Sequence, residues 1–202
     1  MKRYPLVAVA FCFLSLELIA PVDAGHTRTQ RINRVSEAWP VSDFALIDQH
    51  GKAFTDKQVQ GRWTFILLGD THCAEPCKAA LTALTGMYQR IATANAIKTT
   101  QVLFVSLDSE RDRPALLQKY MEPFDNRFVG VTGSRQTLKR LVDDLGVSVR
   151  VPAAPGAGNA RKNNYSGSLL LMGPDGTVRS EFLPPFDVLL LTAEYLKTRA
   201  RG

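Results

Sequence analysis

Residues 61–84 read GRWTFILLGDTHCAEPCKAALTAL, and the organisation of the chain turns on how this stretch is parsed. Between Gly61 and Gly69 the residues are almost all apolar, the pattern of a central strand covered on both faces. Cys73 and Cys77 come directly after it. From Cys77 onward Leu81, Leu84, Tyr88, Ile91 and Ala94 recur at spacings of three and four, which predicts a helix with one buried stripe. A thiol pair between a buried strand and a helix mouth lies at the C-terminal edge of a sheet, where open α/β folds place their ligands. The helix N-terminus also favours thiolate over thiol.

Working outward, the alternation of strand and helix continues. DFALIDQHGKAFT, residues 43–55, alternates apolar and polar positions about His50-Gly51, predicting a hairpin with Phe44, Leu46 and Phe54 inward and His50 in solvent. QVLFVSLD (101–108) is a second buried strand, RPALLQKYM (113–121) a short helix and RFVGVTG (127–133) a third strand. SRQTLKRLVDDLG (134–146) follows as a helix capped by Ser134 and stopped by Gly146. SLLLMGPDGTVRSEFL (168–183) gives two strands around Pro174-Asp175-Gly176, and an apolar-striped helix runs from about Pro185 to Arg199. Successive strand-helix units imply parallel crossovers, so the expected class is α/β: a central mixed sheet flanked by helices, with an N-terminal β-hairpin.

Residues 151–164, VPAAPGAGNARKNN, read as a surface loop. They form no phosphate cradle, because no Gly-Lys-Ser/Thr follows the glycines.

The N-terminal region is read as targeting. Lys2 and Arg3 precede the apolar run Leu6 to Ala20, which ends at the small-residue site Val22-Asp23-Ala24, so residues 1–24 are expected to be a signal peptide cleaved after Ala24. An uncleaved membrane anchor is the second reading; the run is short for a bilayer, which asks for about 20 residues, and Glu17 interrupts it. Residues 25–40 read as a flexible tether and residues 41–202 as one domain.

Cleavage removes Cys12 and equal numbers of positive and negative charges, leaving the net charge of +6 unchanged. Lys and Arg are scattered and no nucleic-acid reading module accompanies them, so the basic balance reads as solvated surface, with attraction to an acidic partner or a membrane face as the alternative. Export to the periplasm or the outer face of the inner membrane places Cys73 and Cys77 where disulfides persist.

Taken alone, these two cysteines are compatible with an inert disulfide, a redox couple or a soft-metal site. A bridge closing so short a loop constrains little of the unfolded chain, so stapling is a weak motive. Two thiolates select Cu(I) or Zn(II) over hard cations. Zinc asks for two further Cys or His ligands, which no obvious spacing supplies, whereas copper accepts fewer.

LLGDTHCAEPCKAAL (67–81), VLFVSLDSERDRPALLQKY (102–120) and FVGVTGSRQTLKRL (128–141), in that order, resemble the Sco/SenC family, thioredoxin-like copper-handling proteins of bacterial envelopes and mitochondria that serve cytochrome c oxidase assembly. The likeness runs from about Phe44 to Leu196. It implies a thioredoxin-like fold in which Cys73 and Cys77 bind copper as thiolates and form a redox-active disulfide when oxidised, the client being an oxidase copper subunit or another protein with metal-binding cysteines. In that family a histidine completes the copper site just before the penultimate strand. Counting back from Gly176 reaches Tyr165 instead, and no histidine follows His72.

Tyr165 is a hard, weak donor for Cu(I) and reads as an aromatic at the rim of the site. His72 matches a family position beside the first cysteine and reads as structural, Met172 as core, and Asp108 and Asp112 as caps or local hydrogen-bonding groups. The function expected is copper delivery by a chaperone. The enzyme alternative is a metal-free thiol-disulfide oxidoreductase with Cys73 as nucleophile and Cys77 as resolving thiol. A binding module with an inert bridge is the third reading. A peroxiredoxin-type peroxidase ranks last, because its usual single peroxidatic thiol differs from a pair four residues apart.

Overall fold

The computed structural model describes residues 29–35, 40–73, 75–92, 95–149 and 165–201. The expected signal peptide (1–24) and the loop at 151–164 lie outside the described residues. Among the described residues, no helix is long and apolar enough to cross a membrane.

The strands are β1 (Arg31–Arg34), β2 (Ala45–Asp48), β3 (Ala53–Thr55), β4 (Trp63–Gly69), β5 (Thr100–Ser106), β6 (Val129–Thr132), β7 (Leu169–Met172) and β8 (Val178–Leu183). The helices are α1 (Glu75–Ile91), α2 (Pro114–Met121), α3 (Arg135–Asp144) and α4 (Val188–Arg199). One eight-stranded sheet runs in the order β1-β8-β7-β4-β5-β6-β2-β3. Its centre, β4-β5-β6, is parallel, and the flanking pairs are antiparallel. The mixed α/β sheet expected from the sequence is therefore present.

β4 and β5 are buried along their whole lengths, as the apolar runs at their centres, Phe65–Leu68 and Val102–Val105, require. Their register pairs Leu67 with Phe104 and Gly69 with Ser106, so Phe65, Leu67, Gly69 and Phe104 share one face. On that face Tyr195 of α4 packs against Phe65, ring centroids 5.1 Å apart, and Tyr120 of α2 stacks on Phe104, also at 5.1 Å. Gly86 of α1 meets Val188 of α4 at a distance that leaves no room for a larger residue without a shift. Three helices therefore cover the face onto which the cysteines project.

Phe44, Leu46 and Phe54 of the hairpin are buried as expected, and His50 is exposed. Ser134 caps α3 by accepting from the Thr137 backbone N–H at 3.1 Å, and Gly146 ends that helix with φ +67°. The last helix begins at Val188 rather than near Pro185, because the Asp187 carboxylate accepts from the backbone N–H groups of Leu189 and Leu190 and so sets the cap. The tether also needs correction. Arg31–Arg34 is an edge strand on β8, although only Ile32 among its residues is apolar.

Candidate metal and redox site

The site begins where β4 ends. Cys73 and Cys77 are joined by a disulfide with Cα atoms 5.8 Å apart. Cys77 lies in the first turn of α1, whereas Cys73 precedes the helix and closes a turn in which its N–H donates to the Asp70 carbonyl at 3.0 Å. Leaving the helix early allows the two sulfurs to meet across a four-residue separation. Both cysteines are buried, Cys77 completely and Cys73 to 7% exposure, so Cys73 is the one nearer the surface.

The turn is held by groups the cysteine motif does not reveal. Asp112, fully buried, accepts from the Thr71 backbone N–H at 2.7 Å, the Thr71 hydroxyl at 2.6 Å and the Ser106 hydroxyl at 2.6 Å. It is thus a brace between the β4 and β5 ends and not a helix cap; the α2 N-cap is Arg113, which makes no side-chain cap bond. Asp108 pairs locally with Arg111, whose guanidinium is held further toward the charged form chiefly by that hydrogen bond. Asp70, also buried, accepts from the His72 N–H at 2.8 Å and from the Tyr165 hydroxyl at 3.0 Å. Tyr120 donates its hydroxyl to the Cys73 carbonyl at 3.1 Å. Burial pushes the Tyr120 phenol up to about 12, with the charges of Asp70 and Asp112 adding to the effect.

Close packing fixes the sulfur positions. A Cβ on Gly69 would stand 2.8 Å from the Cys77 Sγ and 2.7 Å from the Phe104 ring. A Cβ on Gly167, where φ is +68°, would stand 2.7 Å from the Pro76 carbonyl oxygen. The segment carrying Tyr165 is thereby seated against the start of α1, beside the disulfide.

Tyr165 is buried at 7% exposure, not at the rim, and its hydroxyl is engaged with Asp70. Met172 is a core residue of β7, and His72 is exposed, with Nδ1 3.5 Å from the Thr71 hydroxyl. Among the described residues no group of three or more His, Cys, Asp or Glu side chains gathers as a metal cage. The donor set that remains is the two sulfurs. Once reduced, they suit a soft, low-coordinate ion such as Cu(I) and leave zinc short of its tetrahedron.

Sequence reasoning reached the two cysteines but missed Tyr120, Gly167 and the bracing role of Asp112. The only available signals were the small residue ending the β4 run and the acidic residues beyond β5.

Fold and site together define a thioredoxin-like protein with a Cys-x3-Cys disulfide at the edge of its sheet. The SCO1/SenC family model matches residues 35–194. The mitochondrial SCO1 homolog of Homo sapiens is 31% identical over 146 residues, covering 71% of this chain and 46% of that protein. The crystal structure of yeast Sco1 superposes with a TM-score of 0.72 at 24% identity, covering 81% of this chain and 99% of that one, and shows the shared fold. ScoI of Bradyrhizobium japonicum, solved with copper bound, superposes with a TM-score of 0.61 at 29% identity, covering 78% of this chain and 98% of that one. The chain belongs to the SCO1/SenC family. It spans about half the length of the mitochondrial relatives of Homo sapiens, Danio rerio and Bos taurus that it matches.

Proposed function

We propose that this protein is exported to the periplasm or the outer face of the inner membrane. There it carries copper to, or helps mature, the copper subunit of a cytochrome c oxidase through Cys73 and Cys77. The observation that carries this reading is the placement of two bonded sulfurs at the mouth of α1, Cys77 fully buried and Cys73 less completely so, in a chain of the SCO1/SenC family. In the oxidised form the sulfurs are bonded to each other and offer no thiolate. Reduction by an external dithiol delivers two electrons and two protons, opens the bridge to two thiols and oxidises the dithiol to its own disulfide. On taking up one Cu(I) as cargo, the thiols release their protons to solvent. The client's own cysteines then compete for the ion, which a two-sulfur site surrenders more readily than a three-ligand one.

A second reading starts from one observation, the engagement of Tyr165 with Asp70 where the resemblance leads one to expect a third copper ligand; the family matches do not favour it over the first. In it the reduced pair works without metal. The Cys73 thiolate attacks a disulfide of the client and displaces one client thiolate, and Cys77 then resolves the mixed disulfide, so that two electrons pass to the client.

Deletion of the gene in its source organism tests the proposal. Oxidase activity should fall and be restored by the intact chain and not by a Cys73→Ser, Cys77→Ser chain. Restoration by the double variant would reject both readings, whereas added copper rescuing the deletion would favour the first.

A further inference from the structure

Beside the disulfide lies an open groove of about 520 Å³ that the copper chemistry does not use. Its floor is apolar: Tyr120 and Phe124 are half-buried there, and Leu116 is 39% exposed. His72, Lys78 and Lys119 stand on its walls, all exposed. The described lining includes no carboxylate, and neither lysine forms an ion pair with a described residue. The groove is joined to the site in two ways. His72 is the residue before Cys73, and Tyr120 holds the Cys73 carbonyl. A molecule lying in the groove therefore approaches the couple from the side of Cys73, the less completely buried of the two cysteines.

We propose that this groove seats the client's cysteine-bearing segment, and that the segment it fits is acidic with an apolar or aromatic side chain next to the cysteine. This rests on the reading of Cys73 and Cys77 as the working pair and specifies the partner's chemistry. The apolar floor takes the aromatic side chain, as exposed apolar clusters at interfaces do. The ammonium groups of Lys78 and Lys119, which pair with no described carboxylate, attract carboxylates flanking the cysteine and speed their arrival. The net charge of +6 acts in the same direction at longer range.

The test uses the oxidised protein and three single-cysteine peptides of equal length, Asp-Phe-Cys-Asp, Asp-Ala-Cys-Asp and Lys-Phe-Cys-Lys, in excess at matched pH. In each reaction one peptide thiolate attacks Cys73 Sγ, the Cys73–Cys77 bond breaks, and Cys77 leaves as a thiolate that takes a proton from water. A second peptide thiolate attacks the peptide sulfur of the mixed disulfide, releasing Cys73 and forming a peptide disulfide. Initial rates are read by acid quenching and mass spectrometry, alongside β-mercaptoethanol, which carries no charge besides that of its attacking thiolate.

At low ionic strength the acidic aromatic peptide should react about tenfold faster than the basic one and faster than its alanine counterpart. The charge preference should collapse near 1 M salt, where the screening length is about 3 Å. Lys78→Glu with Lys119→Glu should reverse the preference, read as the ratio of the acidic to the basic peptide rate after each is divided by the same variant's β-mercaptoethanol rate. Lys98→Glu, before the opposite end of β5, should leave that ratio unchanged.

Equal rates for acidic and basic peptides, or a preference surviving the double charge reversal, would overturn the groove assignment while leaving the working pair intact. A rate that falls as protein concentration rises would show a second copy covering the groove and would overturn it as well. Failure of every thiol, including β-mercaptoethanol, to open the bridge would instead remove the reading of an accessible pair, and this inference with it.

Discussion

The Tyr165 hydroxyl donates to Asp70 Oδ2 at 3.0 Å, linking residues 95 positions apart, and both side chains are buried. Gly167, two residues on, is pressed against Pro76, so the segment carrying Tyr165 cannot drift from the cysteines. Counted back from Gly176, Tyr165 stands where the family resemblance leads one to expect a copper histidine, and its phenol is committed to a carboxylate.

Tyr165→His should therefore supply the missing soft donor and raise the Cu(I) affinity of the reduced protein by about tenfold or more, read by competition with a chromophoric chelator. Tyr165→Phe should leave that affinity within about threefold while lowering urea stability by about 1–3 kcal/mol, because Asp70 loses a donor inside the core. A Phe variant with sharply weakened copper binding would show that Tyr165 is itself a ligand.

Asp112 ties the Thr71 end of the cysteine turn to Ser106 of β5 through three short hydrogen bonds. Its replacement by Ala strands those buried donors and should cost about 3 kcal/mol in urea unfolding. Reduction of the bridge by a small thiol should also become faster as the turn loosens. Asp112→Asn should recover part of both effects, and a pure stability loss with an unchanged reduction rate would separate Asp112 from the turn's chemistry.

Two glycines set the space around the sulfurs. Gly69→Ala places a methyl group against a Cys77 sulfur that the bridge prevents from rotating, and against Phe104. The oxidised form should lose about 1–3 kcal/mol and the reduced form less, so the variant's bridge should be easier to reduce. Gly167→Ala meets a backbone carbonyl at a positive φ, where neither neighbour can rotate away, so it should destabilise both forms alike. Thermal melts of the oxidised and reduced proteins check both.

Tyr120 carries an alkaline signature. Burial, with Asp70 and Asp112 nearby, raises its phenol to about 12 in the folded protein from the usual value near 10 in the unfolded chain. The group favours the folded state while it stays protonated. Its contribution is full below pH 10 and is lost as pH rises from about 10 to 12. Tyr120→Phe should flatten the fall in stability over that window, read by urea titration at several alkaline pH values.

The centre of the fold was legible because β4 and β5 are buried on both faces and carry four consecutive apolar residues each at their centres, Phe65–Leu68 and Val102–Val105, while turn glycines and Ser134 marked the ends. β1 was not legible, since an edge strand held by backbone pairing to β8 needs no apolar alternation beyond Ile32. The cysteines announced themselves by spacing. The bonds that hold them did not, because Thr71 to Asp112 and Asp70 to Tyr165 join residues 41 and 95 positions apart, and no local pattern encodes such pairings. The groove was hidden for the same reason: Lys78 and Lys119 belong to different helices and meet only when α1 and α2 lie on one face.

The most direct measurement is a Cu(I) titration of the fully reduced protein, under inert gas, with bound metal and free thiols counted in the same samples. One copper per chain, with both thiols protected and binding abolished by Cys73→Ser, is the outcome expected of a two-sulfur carrier. No uptake, or copper retained by the Cys73→Ser chain, would contradict it.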